Sequence, residues 1–157
     1  MRNEPRFFAD AMLGRLARWL RAIGCDTAQL PVDASDVEIV ERASHEERVL
    51  LTRDRHLLRD LRPPRAFEVT SDEPLEQLRA VVLACEIARP AAFFTRCMLC
   101  NTPLHEVSPT SVAERIPPLA REVPGPVFQC ATCERVYWRG SHARRMERIL
   151  EGVFPDR

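Results

Sequence analysis

Two sets of residues in this chain have types and spacing suited to chemistry: four paired cysteines, and a group of aspartates that close short apolar runs. The cysteines form two C-x-x-C turns, Arg96-Cys97-Met98-Leu99-Cys100-Asn101 and Gln129-Cys130-Ala131-Thr132-Cys133-Glu134. Four thiolates at this spacing match a tetrahedral structural zinc site, and two such turns on successive hairpins make a zinc ribbon. The long stretch between the pairs implies an ornamented loop. A redox dithiol accounts for one C-x-x-C but poorly for two, and an iron–sulfur cluster is the other metal centre the spacing admits. Four filled ligand positions leave none open for catalysis, so Cys97, Cys100, Cys130 and Cys133 are read as a structural metal site.

The aspartates follow a repeated pattern. Phe7-Phe8-Ala9 stops at Asp10, Val49-Leu50-Leu51-Thr52 runs into Asp54, and Ala66-Phe67-Glu68-Val69 runs into Asp72. Each is followed by a helical stretch. Short uninterrupted apolar runs are the mark of parallel strands buried on both faces. Parallel strands ending in acids gather those acids at the carboxyl edge of the sheet, where open α/β folds bind ligands. Carboxylates crowded there repel one another unless a divalent cation joins them, so Asp10, Asp54 and Asp72 read as a second metal site, for Mg²⁺ or Mn²⁺. Aspartates also cap helices. Ser35 and Asp36, ahead of the apolar positions Val37, Ile39, Val40 and Ala43, are natural caps, and local pattern alone assigns Asp36 that role.

The elements that must carry these residues are readable in outline. The spacing predicts a helix over 12–23 with Met12, Leu13, Leu16, Leu20 and Ile23 on its apolar stripe, and a weak strand over 25–30. Further helices are expected over 36–46, 55–61 and 74–86, and strands over 49–52 and 66–69. Arg89-Pro90 marks the expected boundary between a first domain, 1–90, and a second, 91–157. Cys25 and Cys85 are read as small apolar core residues.

Composition narrows the chemistry. All 23 basic residues are Arg and balance 23 acids. The absence of lysine excludes a Schiff base, a phosphate-loop lysine and a catalytic ammonium, while arginine grips phosphate well through its planar fork. No apolar run reaches the ~20 residues of a membrane span, and the first residues lack a signal-peptide core. A cytoplasmic location with no membrane partner is expected, where paired cysteines hold metal more often than disulfides.

Two clusters could hold nucleic acid. Arg15, Arg18 and Arg21 recur at helical spacing beside Asp10, as a phosphate-gripping row or a solvated face. Tyr137 and Trp138 precede Arg139, His142, Arg144, Arg145 and Arg148. Aromatics that stack on unpaired bases beside phosphate-binding arginines are the pattern of single-strand binders. The competing structural role is a packed Trp138, a solvated basic helix and a backbone-bonded His142.

With Phe8-Ala9-Asp10-Ala11-Met12-Leu13-Gly14-Arg15-Leu16-Ala17-Arg18-Trp19-Leu20-Arg21, Thr52-Arg53-Asp54, Arg96-Cys97 to Asn101 and Val136-Tyr137-Trp138 to His142, the chain resembles the Mut-seven C-terminal ribonuclease domain. The resemblance runs from about Arg6 to Met146. It implies a PIN-like three-layer α/β/α fold with a mainly parallel sheet and an appended zinc ribbon. It also implies metal-dependent RNA hydrolysis, with the ribbon aiding RNA binding. Asp10, Asp36 and Asp54 match the family acids, which moves Asp36 from cap to site residue. Asp72 occupies the place of a looser fourth acid, and Gln77 also fits the family pattern.

The mechanism expected from the resemblance is phosphodiester hydrolysis at Asp10, Asp36 and Asp54, with Asp72 peripheral. Arg15 and Arg18 would lie on the substrate path, Thr52 or Ser71 would orient water or phosphate, and the RNA would be single-stranded. One rival is a non-catalytic RNA- or ribosome-binding module whose acids are vestigial. Another is a PIN-type toxin, although neither an antitoxin nor a homo-oligomer is predicted. A receiver-type signalling domain is set aside, since its site needs a lysine.

Overall fold

The computed structural model describes residues 4–155. Its first sheet is four-stranded and wholly parallel, built from β1 (Phe7–Ala9), β2 (Thr27–Gln29), β3 (Val49–Thr52) and β4 (Ala66–Glu68) in the order β2-β1-β3-β4. Each crossover carries a helix: α1 (Gly14–Ala22) after a one-turn 3-10 helix, α2 (Asp36–His45) and α3 (Arg55–Leu61). A fourth, α4 (Pro74–Ala84), follows β4. β2 and β4, the two edge strands, are shorter than the 25–30 and 66–69 expected.

Alternation along β1 divides the core. Phe7 and Ala9 face Leu16, Leu20, Leu78 and Val81 of α1 and α4, whereas Phe8 faces Ile39, Ala43 and Leu57 of α2 and α3. Phe7, Phe8, Leu50 and Leu51 are all within 1% of full burial. Two consecutive fully buried residues on each strand explain why these strands read as unbroken apolar runs.

The second sheet is antiparallel, with β5 (Leu104–Val107), β6 (Val127–Cys130) and β7 (Val136–Trp138) in sequence order. Its small core is Val112, Ile116 and Val127, with Val112 and Ile116 contributed by the proline-rich stretch between the cysteine pairs. The chain then forms α5 (Ser141–Glu151) and returns to the first sheet. Leu150, Val153 and Phe154 join the core of Phe7 and Leu78, and Phe154 stacks on Phe93 with ring centroids 6.3 Å apart. Residues past the expected boundary at 90 therefore complete the first core. Among the described residues no helix is long and apolar enough to cross a membrane.

Candidate metal and nuclease sites

Parallel register sets the geometry of the acids. Ala9 pairs with Leu51, and the Asp10 amide then donates to the Leu51 carbonyl at 3.0 Å, which brings Asp10 level with Thr52. Thr52 is fully buried, and its hydroxyl donates to Asp10 Oδ2 at 3.0 Å while accepting from the Asp54 amide at 3.0 Å. One hydroxyl thus ties the two acids together across adjacent strands. Burial keeps Thr52 from meeting a phosphate directly, so its place is to position carboxylates rather than substrate.

Each acid also has a local partner. Asp10 Oδ1 accepts from the Ala11 amide at 2.6 Å at the start of the 3-10 turn. Asp54 caps α3, its Oδ1 accepting from the His56 and Leu57 amides at 2.8 and 3.1 Å, while no described residue bonds its Oδ2. At α2 the cap is Ser35, which forms a complete capping box with Glu38. Asp36 is therefore relieved of the cap that its position suggested. It sits exposed in the first turn, where it complements the helix dipole, without a hydrogen bond or ion pair to any described residue.

Asp10, Asp36 and Asp54 line a single cleft of about 350 Å³ at the carboxyl edge of the strands. Its other lining residues are apolar, among them Met12, Leu30, Pro31 and Val32, and no basic side chain is present. Asp72 lies outside that lining. It is exposed and pairs with Arg53 at 2.5 Å. Gln77, buried, donates to the Ser71 carbonyl at 2.7 Å and so holds the loop that carries Asp72. A larger and more open depression of about 550 Å³ runs along α2, but its lining mixes acids with the basic side chains of Arg42 and His45, and Arg42 pairs with Glu46. Three acids with no local counter-charge distinguish the smaller cleft.

The four cysteines form a tighter cluster. Their Sγ atoms all lie within 4.8 Å of one another, the only set of three or more such ligand groups this close among the described residues. The Cys97–Cys133 separation is 3.7 Å. Zn–S bonds of about 2.3 Å require tetrahedral edges of about 3.8 Å, so the cluster fits a zinc-sized thiolate site. The aspartates surround their cleft without reaching that mutual proximity.

Hydrogen bonds around the sulfurs favour thiolates unequally. Burial opposes ionisation of Cys130, yet the Cys133 and Thr132 amides hold its thiol at about 7. For Cys97, burial is likewise outweighed by the Tyr137 hydroxyl, 3.1 Å from the sulfur, and by the Cys100 and Leu99 amides, which lower its pKa. The hydrogen bond with Cys133, followed by burial, pushes Cys100 up to about 12. Burial, then the Cys97 contact, raises Tyr137 above the ordinary phenol value. Tyr137 is thus turned inward to the Cys97 sulfur, not presented as an exposed ring, and its spacing relative to the cysteines gave no hint of this.

The expected nucleic-acid residues divide in the same way. Arg15 and Arg18 are exposed on α1, as are Arg139, His142, Arg144 and Arg145 at and after the end of β7. Arg139 pairs with Glu147 at 2.7 Å. Trp138 is half-buried against the Val112, Ile116 and Val127 core of its own sheet. Arg21 departs from its row: it is 6% exposed and donates to the carbonyls of Thr27, Met98 and Leu99. It binds the first cysteine turn rather than solvent or phosphate.

The family model described as Mut7-C RNAse domain matches residues 5–150, nearly the whole chain. No curated protein and no solved structure matches it.

Proposed function

The chain belongs to the Mut7-C RNAse domain family, and from that premise we propose that it is a metal-dependent ribonuclease with a PIN-like three-layer fold and an appended zinc ribbon. Family membership points to nuclease-type hydrolysis with RNA as the substrate. The observation that carries the finer reading is the cleft: three carboxylates, from just after β1, the start of α2 and the turn after β3, line it, with no basic side chain among them. Hard oxygen donors without a counter-cation are the ligand set of Mg²⁺ or Mn²⁺. Such an ion, when bound, supplies an acidified water and charge neutralisation at the phosphate.

The chain's own residues do the rest. Thr52 holds Asp10 by one oxygen, and the α3 amides hold Asp54 by its Oδ1, which leaves Asp54 Oδ2 without a protein donor. Asp36, exposed and unbonded, has the rotamer freedom to turn toward the cleft. Arg15 and Arg18 on α1, with Arg139, His142, Arg144 and Arg145 on the second module, are assigned to the flanking phosphates of a single strand. Asp72 stays peripheral, engaged by Arg53. Cys97, Cys100, Cys130 and Cys133 hold zinc for structure and take no part in hydrolysis.

Asp54→Asn tests the proposal cleanly, because asparagine retains the oxygen that caps α3 while removing the charge. The variant should unfold at the wild-type temperature and lose Mn²⁺-dependent cleavage of a single-stranded RNA. Wild-type cleavage by Asp54→Asn, or cleavage that survives EDTA, would remove the cleft from the mechanism. RNA retained without being cut by the wild-type protein would favour a binding module.

A further inference from the structure

The two ends of β2 touch different sites. At its start, the Thr27 amide donates to Asn101 Oδ1 at 2.9 Å, and the Thr27 carbonyl accepts from Arg21 Nε at 2.9 Å. The same guanidinium donates to the Met98 and Leu99 carbonyls at 2.8 and 2.9 Å, inside the first cysteine turn. Asn101 closes that turn with a left-handed backbone (φ 67°) and donates to Asp26 Oδ1 at 2.7 Å. At the other end, Gln29 Nε2 donates to the Asp10 and Ala11 carbonyls, each at 3.2 Å. Three residues, roughly 7 Å of extended chain, therefore separate the metal-ligating turn from the loop of Asp10.

β2 is an edge strand of three residues paired with β1 alone. So short an edge has few ladder bonds, and its position depends on what anchors its ends. Thr27 is fully buried and Arg21 nearly so, so breaking this anchor leaves polar groups unsatisfied away from water.

We infer that Arg21, Asn101 and Gln29 are positioning residues that make the placement of Asp10 depend on an intact cysteine site, an inference that rests on Asp10 being a cleft ligand. A zinc module hung on a linker would alter only how tightly RNA is held. One built into β2 alters the turnover step.

Asn101→Gly tests the start of the strand, since glycine keeps the left-handed backbone while deleting both side-chain bonds. Gln29→Met tests its end, being close in size and uncharged but without the donor. Both are prepared with Co²⁺ in the cysteine site, where thiolate charge-transfer absorption reports filling. Hydrogen exchange is then followed at the Ala11 amide, which bonds Asp10 Oδ1.

Each variant should keep the cobalt spectrum and speed exchange at Ala11 by roughly tenfold or more. Each should also bind Mn²⁺ more weakly and cut single-stranded RNA with lower kcat at unchanged KM. Wild-type exchange at Ala11 in Asn101→Gly, or a raised KM with kcat intact, would overturn the coupling. Should wild-type protein neither bind Mn²⁺ nor cut RNA, the nuclease reading fails, while Ala11 exchange still decides whether the two sites are joined.

Discussion

The cysteine cluster and the aspartate cleft use opposite strategies. The four sulfurs are drawn within 4.8 Å of one another, two of them fully buried, and supported by backbone amides and the Tyr137 hydroxyl. The three carboxylates are spread around an open cleft, and Asp10 and Asp54 are each held by a local turn or helix cap. A closed, preassembled site suits a metal that holds structure, whereas an open one leaves room for substrate. On the proposed reading, the tighter cluster is the structural one and the looser one the site of hydrolysis.

That contrast can be broken in order of expected effect. Cys130→Ser should be the most severe change, because structural zinc contributes on the order of 10 kcal/mol in small domains. Both sheets should lose their common thermal transition, as read by circular dichroism. A first sheet that melts unchanged would make the two regions independent. Asp54→Asn comes next, with activity lost and folding kept.

Thr52→Val should then weaken Mn²⁺ binding by about 10- to 100-fold, the usual cost of losing a group that orients a ligand, as titration calorimetry would show. Asp72→Asn should matter least: its pair with Arg53 is exposed, and such pairs contribute at most about 1 kcal/mol. A large activity loss there would bring Asp72 back to the cleft.

The joint between the regions also carries a pH dependence. Burial works against ionisation of Asp26, but hydrogen bonds from Arg48 and Asn101 outweigh it and hold the carboxyl below its ordinary 3.8. A depressed folded-state pKa means that this contribution to stability is complete above pH 3.8 and is lost as pH falls through the lower folded value. Acid denaturation curves of Asp26→Asn should lack that increment, and a curve matching wild type would contradict the assignment.

Much of the first sheet was legible in the chain itself. The apolar runs at 7–9 and 49–52 mark β1 and β3 because both faces of those strands are buried, and the C-x-x-C spacing marks the sulfur cluster because its chemistry is local. The acids were harder. Local pattern made Asp36 a cap and only the family resemblance moved it to the site; the cap falls to Ser35, through a capping box with Glu38. The joint between the regions was illegible, since Arg21 reaches Met98 across 77 positions and Asn101 reaches Asp26 across 75. No periodicity encodes such contacts. Trp138 and Tyr137 looked like an exposed pair because aromatics beside arginines carry no mark of which way they turn; they pack against Val127 and Cys97 respectively.

The most direct measurement is anomalous diffraction at the manganese edge from crystals soaked in Mn²⁺. A peak is expected within about 2.0–2.3 Å of carboxylate oxygens from both Asp10 and Asp54, with Asp36 turned toward it. An empty cleft at saturating Mn²⁺, in crystals whose cysteine site is filled, would contradict it.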